Sequence, residues 1–136
     1  MPVDRDRAHA EVRLRRDKIA WLTTVRRDGQ PQSSPVWFLW REGEIVVYSK
    51  PTTQKVRNVQ ANPKVAVHLR DVDDGSDIVS VEGTAEIDEA YPAAAAVPDY
   101  VKKYCTMIAD IDMDPKSFAQ SYSVPIRIRL AKLRVE

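Results

Sequence analysis

Residues 19–49 read IAWLTTVRRDGQPQSSPVWFLWREGEIVVYS. Ile19 to Val25 is a β-branched and aromatic run, Arg27-Asp28-Gly29-Gln30 has turn chemistry, and Pro31 to Trp40 is a second extended run, so the pattern predicts a β-hairpin. From Val36 to Trp40 both parities are apolar, with Val36, Phe38 and Trp40 on one face and Trp37 and Leu39 on the other. A strand of this kind is covered on both sides. The Glu42-Gly43 turn then leads into Glu44 to Ser49, a third strand continuing the meander.

Working outward, Pro51 stops that strand, and Thr52 to Ala61 places Val56 and Val59 at helical spacing, with Thr52 or Thr53 as N-cap and Asn62-Pro63 as the stop. Lys64 to Arg70 is a strand, Asp71 to Asp77 an acidic loop tip, and Ile78 to Ile87 a strand with clean alternation. Val79, Val81, Gly83, Ala85 and Ile87 form its core face, opposite Ser80, Glu82, Thr84 and Glu86. A helix from about Asp99 carries Tyr100, Tyr104, Met107 and Ile108, and a short one follows with Asp114 as cap and Pro115 in its first turn. The last strand, Val124 to Val135, slips its alternation near Ala131-Lys132, which predicts a bulge. At the other end, Asp4 to Asp17 reads as an amphipathic helix with Ala8, Val12 and Arg15 on one side.

Six strands without regular strand–helix alternation make a mainly β protein, an antiparallel β-barrel with peripheral helices. With no internal repeat, linker or low-complexity tract, residues 1–136 are expected to form a single domain. A chain of 136 residues buries roughly two thirds of its unfolded surface and needs no staple.

Composition narrows the function. Twenty-one basic residues against twenty acidic ones leave a net charge of +1, which advertises no nucleic-acid or membrane partner. One cysteine, Cys105, and a highly charged start point to the cytoplasm, and no apolar run is long enough to span a bilayer. The four glycines assemble neither a dinucleotide fingerprint nor a P-loop, and His9, His68 and Cys105 give no zinc spacing, so no metal is expected. No catalytic residue is assigned, since neither a nucleophile–base pair nor a carboxylate pair stands out.

Two stretches carry chemistry. In Ser49-Lys50-Pro51-Thr52-Thr53-Gln54-Lys55-Val56-Arg57-Asn58 a strand ends and a helix begins; hydroxyls and cations gather where free N–H groups attract anions. Lys55 and Arg57 carry the wrong sign for the helix dipole, so a phosphate site and a solvated basic turn fit this stretch equally well. Ser33-Ser34-Pro35-Val36-Trp37-Phe38 has a proline that frees backbone groups, with Trp21, Trp37, Phe38 and Trp40 nearby to stack on a flat ring. Aromatics in a hairpin belong to the core more often than to a ligand site. Arg127 and Arg129 share a polar strand face, where solvation is favoured over contact with an anionic tail.

In order and spacing, IAWLTTVRRDGQPQSSPVWFLW, GEIVVYSKPTTQKVRNVQANPKVAVHL, IVSVEGTAEI, PDYVKKY and SYSVPIRIRL resemble the pyridoxamine 5'-phosphate oxidase-like superfamily, nearest its actinobacterial deazaflavin-dependent oxidoreductases. The resemblance implies a six-stranded, FMN-binding-like split β-barrel and a homodimer with a cofactor groove at its interface. It implies a cofactor phosphate held by Ser49, Thr53, Lys55, Arg57 and Asn58, a ring system along Pro35, Val36 and Trp37, and Lys50 as a further cation. The implied cofactor is coenzyme F-420, with FMN as the alternative, and the implied reaction is hydride transfer to a small conjugated acceptor. An FMN-binding oxidoreductase and a non-catalytic cofactor-binding barrel are the competing readings.

Overall fold

The computed structural model describes residues 4–70 and 77–135, so the expected loop tip lies outside the described residues apart from Asp77. Seven strands form one antiparallel sheet: β1 (Ala20–Val25), β2 (Pro31–Val36), β3 (Leu39–Arg41), β4 (Glu44–Ser49), β5 (Lys64–Leu69), β6 (Val79–Ile87) and β7 (Val124–Val135). Their order across the sheet is β2-β1-β5-β6-β7-β4-β3. Helices α1 (Asp4–Arg16), α2 (Gln54–Ala61), α3 (Pro98–Asp110) and α4 (Pro115–Ser121) lie around it, with a 3-10 turn at Ala94–Ala96.

The order shows the curl. β2 and β3 are opposite edges of the sheet, yet only Trp37 and Phe38 separate them in the chain. Three residue steps reach about 11 Å, whereas seven flat strands would hold those edges roughly 29 Å apart. The sheet therefore rolls into a split barrel, and the chain crosses its own gap. This crossing is why seven strands replace the expected six: Pro31 to Trp40 is one extended run whose first half pairs with β1 and whose second half pairs with β4. β4 pairs with β3 and with the C-terminal β7 rather than simply extending the meander.

Face parity follows the sequence. Val36 and Phe38 enter the barrel interior with Leu22, Ile45, Val67, Ile126 and Ile128, and Trp40 packs against them. Leu39, with Trp37 against it, joins a second cluster formed by Val46, Tyr48, Tyr100, Tyr104, Ile108 and Phe118 beneath α3 and α4. In β6, Val79, Val81 and Ala85 are buried as expected. Glu82 opposes Lys132 and Gly83 opposes Leu130, so Ala131 is the bulged residue. α4 begins with a reciprocal capping box between Asp114 and Ser117.

α1 presents a different face from the one its apolar spacing predicts. Ala10, Arg13 and Leu14 are buried, whereas Val12 is half exposed. The cause is Arg13, whose guanidinium donates to the carbonyls of Asp77 and Arg70 and pairs with Asp17 at 2.8 Å. A buried cation with these bonds is fully accommodated, and it turns the helix towards the ends of β5 and β6.

Candidate functional site

Where β4 ends and α2 begins, Ser49 is buried and its Oγ lies 2.8 Å from Thr53 Oγ1. Both hydroxyls also reach the Lys50 carbonyl, Ser49 at 2.9 Å and Thr53 at 3.2 Å, and this ties Lys50–Thr53 into a compact turn. Thr53 occupies the expected N-cap position, but its hydroxyl is used in that turn and makes no side-chain cap. No acidic residue lies in the first turn of α2.

This turn forms one wall of a cavity of about 400 Å³, within the range of small-molecule sites. Pro35, Val36 and Trp37 bring the end of β2 to it; Ser49, Lys50, Thr53 and Lys55 supply its polar side. Tyr48, Ile111, Phe118 and Tyr122 complete its lining. Trp37 stacks within the protein, 5.0 Å from the Tyr104 ring and 5.4 Å from Phe118, centroid to centroid. The aromatic wall is thus an extension of the second core cluster that keeps one margin open to the cavity.

The electrostatics are one-sided. Among the described residues, two lysines line the cavity and no carboxylate does. The Lys50 ammonium lies 5.4 Å from the Tyr122 ring, a cation–π contact. Lys55 is half-buried, and burial lowers its pKa. A partly desolvated cation beside hydroxyls, with no anion opposite, suits a phosphate or carboxylate from a ligand.

Seven of the nine residues expected to contact a cofactor therefore line one cavity, while Arg57 and Asn58 do not. Arg57 donates to the Thr52 carbonyl and Gln54 Oε1 in a separate cleft with Arg26, Arg27 and Asp28. Helical rotation explains the split, since Lys55 and Arg57 point about 200° apart on α2. Asn58 is buried and hydrogen-bonded to Thr24, Gln32 and Gln54. Arg127 is held by Glu44 at 2.7 Å and Asp88 at 2.9 Å; those bonds raise its pKa and occupy it away from the cavity. Tyr48, Ile111, Phe118 and Tyr122 were not singled out as site residues by the sequence. Phe118 and Tyr122, four residues apart across the end of α4, are the signal for an aromatic wall there.

No helix among the described residues is long and apolar enough to cross a membrane. Several solved structures share the fold. An F420 reductase is 28% identical with a TM-score of 0.68, covering 91% of this chain and 94% of its own. A conserved hypothetical protein from Mycobacterium tuberculosis is 25% identical with a TM-score of 0.77, covering 99% of this chain and 84% of its own. The heme storage protein from Vibrio cholerae, 16% identical with a TM-score of 0.65 over 99% of this chain and 95% of its own, shares the fold alone. No curated protein matches the sequence. The model of the pyridoxamine 5'-phosphate oxidase family matches residues 6–135, which takes in all seven strands, and the chain belongs to that family.

Proposed function

We propose that the protein is a cytoplasmic oxidoreductase that uses reduced coenzyme F-420 to deliver a hydride to an electron-poor, conjugated organic acceptor. The observation that carries this reading is the cavity itself, which gathers Lys50, Lys55, Ser49 and Thr53 with the rings of Trp37, Tyr48, Phe118 and Tyr122 and, among the described residues, has no carboxylate in its lining. The likeness to an F420 reductase supports the deazaflavin over FMN. When bound, the cofactor supplies the hydride; the protein's contribution is to hold and orient it and to keep water out.

In this reading Lys50 and Lys55 neutralise the cofactor phosphate, and the Ser49 and Thr53 hydroxyls give up their bonds to the Lys50 carbonyl to donate to it. Pro35, which has no N–H, and Val36 run beside the ring system, with Trp37 at its end. Tyr122, half-buried and stacked on the buried Phe118 ring, presents an apolar surface on which a flat acceptor lies against the cofactor. Water furnishes the proton that completes reduction of the acceptor. The chain acts as one domain over residues 1–136, and a second copy completes the groove. The outer face of β1 and β2 supports that pairing, since Trp21 is 39% exposed there, next to Pro35 and His68 in the ladder.

The test is a parallel titration of the purified protein with coenzyme F-420 and FMN, followed by cofactor fluorescence. Tight deazaflavin binding with weak FMN binding is expected. The reverse preference moves the protein to flavin chemistry, and binding of neither removes the redox reading.

A further inference from the structure

One wall of the cavity is not held by the sheet. Ladder pairing ends at Val36, opposite Ala20, and resumes at Leu39, opposite Val46, so Trp37 and Phe38 cross the barrel gap without a strand partner. Phe38 is fully buried all the same. A buried peptide group must find its hydrogen bonds elsewhere, and for Phe38 they come from α3.

Phe38 N–H donates to Tyr104 Oη at 2.8 Å. The Phe38 carbonyl accepts from Lys103 Nζ at 2.8 Å and lies 2.9 Å from Tyr104 Oη. A phenol has one proton, and Tyr104 has a second acceptor in reach, the Lys18 carbonyl at 2.7 Å. With Lys103 serving Phe38 O, the phenolic proton serves Lys18 O and the phenolic oxygen receives Phe38 N–H, so each group is matched. Meanwhile the Tyr104 ring stacks on Trp37 with planes 2° apart. One side chain grips the backbone of Phe38 and the indole of the residue before it.

We propose that Tyr104 is a positioning residue for the ligand cavity: it fixes the Trp37 indole from α3, with Lys103 holding the other half of the Phe38 peptide. The effect on ligand affinity rests on the cofactor reading above, whereas the placement of the indole does not. Tyr104 is buried away from the cavity lining and acts only through Trp37 and Phe38. Burial raises its pKa, so the phenol keeps the proton that this arrangement requires.

The test uses Trp37 as sole tryptophan, in a Trp21→Phe, Trp40→Phe background. Into it go Tyr104→Phe, which keeps the ring and deletes the hydroxyl, and separately Lys103→Met. Acrylamide quenching and anisotropy of Trp37 are measured without ligand, followed by titration with coenzyme F-420 and with FMN. In Tyr104→Phe, Trp37 is expected to become more quenchable and less anisotropic, and ligand Kd to rise about tenfold from lost preorganisation. Lys50→Ala, by contrast, raises Kd and leaves the Trp37 signals unchanged. Identical Trp37 quenching and anisotropy in parent and Tyr104→Phe overturn the proposal. Should Tyr104→Phe not fold, the same comparison in Lys103→Met decides. A parent that binds neither ligand defeats the cofactor reading alone, because the quenching measurements still judge Tyr104.

Discussion

The Asn58 side-chain amide donates to Thr24 Oγ1 at 2.9 Å, and so ties α2 to a buried position inside β1. The same amide donates to Gln32 at 3.0 Å and its oxygen accepts from Gln54 at 2.8 Å. Replacing Asn58 by Ala leaves a buried Thr24 hydroxyl and two glutamines without this partner. The expected loss is about 2–3 kcal/mol of stability, read as a lower urea midpoint. An unchanged midpoint would show that the network relaxes at no cost.

Lys50 and Lys55 line the cavity, whereas Arg57 faces another cleft. Removing each lysine is therefore expected to weaken binding of a phosphorylated cofactor, by about tenfold for the half-buried Lys55 and less for the exposed Lys50. Arg57→Ala leaves affinity near the parent value. Riboflavin, which lacks the phosphate, separates charge from ring contacts: neither lysine change alters its binding. Loss of riboflavin affinity in Lys55→Ala would make the lysine a structural support instead of a phosphate ligand.

Local features of the sequence were enough to reveal much of this arrangement. The two-sided apolar pattern of Val36 to Trp40 put Phe38 and Leu39 on opposite covered faces, which the structure assigns to the barrel interior and to the cluster under α3 and α4, and the slipped alternation near Ala131-Lys132 marked the bulge. The break at Trp37–Phe38 has no local signature, because it arises where one run of chain changes partner strands, a tertiary event. Likewise the buried face of α1 is decided by backbone carbonyls around Arg13 that come from residues 57 and 64 positions away in sequence. At the site, the stretch from Ser49 to Asn58 fits an anion site and a solvated basic turn equally in sequence, and only folding brings its Ser49, Lys50, Thr53 and Lys55 into one cavity with Phe118 and Tyr122 from the end of α4.

Gly83 sits at the β6–β7 bulge, where an added Cβ would collide with the Arg129 backbone carbonyl. Neither strand has room to yield, since β6 is paired on both edges. Gly83→Ala is expected to cost about 3 kcal/mol by overpacking. Gly29→Ala is strained only by its positive φ, with nothing near its Cβ, and costs about 1 kcal/mol. The two variants are compared by denaturant unfolding; equal losses would mean that the bulge absorbs the methyl group.

Stability should depend on pH with opposite slopes on either side of about pH 10. Burial, reinforced by nearby Lys18 and only partly offset by Asp17, lowers the Lys103 pKa from 10.5 to about 8. Between those values the unfolded chain binds a proton that the folded protein has released, so stability rises as pH increases through that window. Lys55, lowered by burial, adds a slope of the same sign. The phenols of Tyr48, Tyr100 and Tyr104 act the other way: burial raises all three above their ordinary value of 10. Their unfolded forms lose protons first, so stability falls as pH rises beyond about 10. Urea midpoints from pH 7 to 11 should therefore climb and then drop. Lys103→Met should flatten the climb without abolishing it, because Lys55 remains, and should leave the drop in place. A Lys103→Met profile parallel to that of the parent would mean that Lys103 keeps an ordinary pKa and that its ammonium is solvated at the α1–α3 junction.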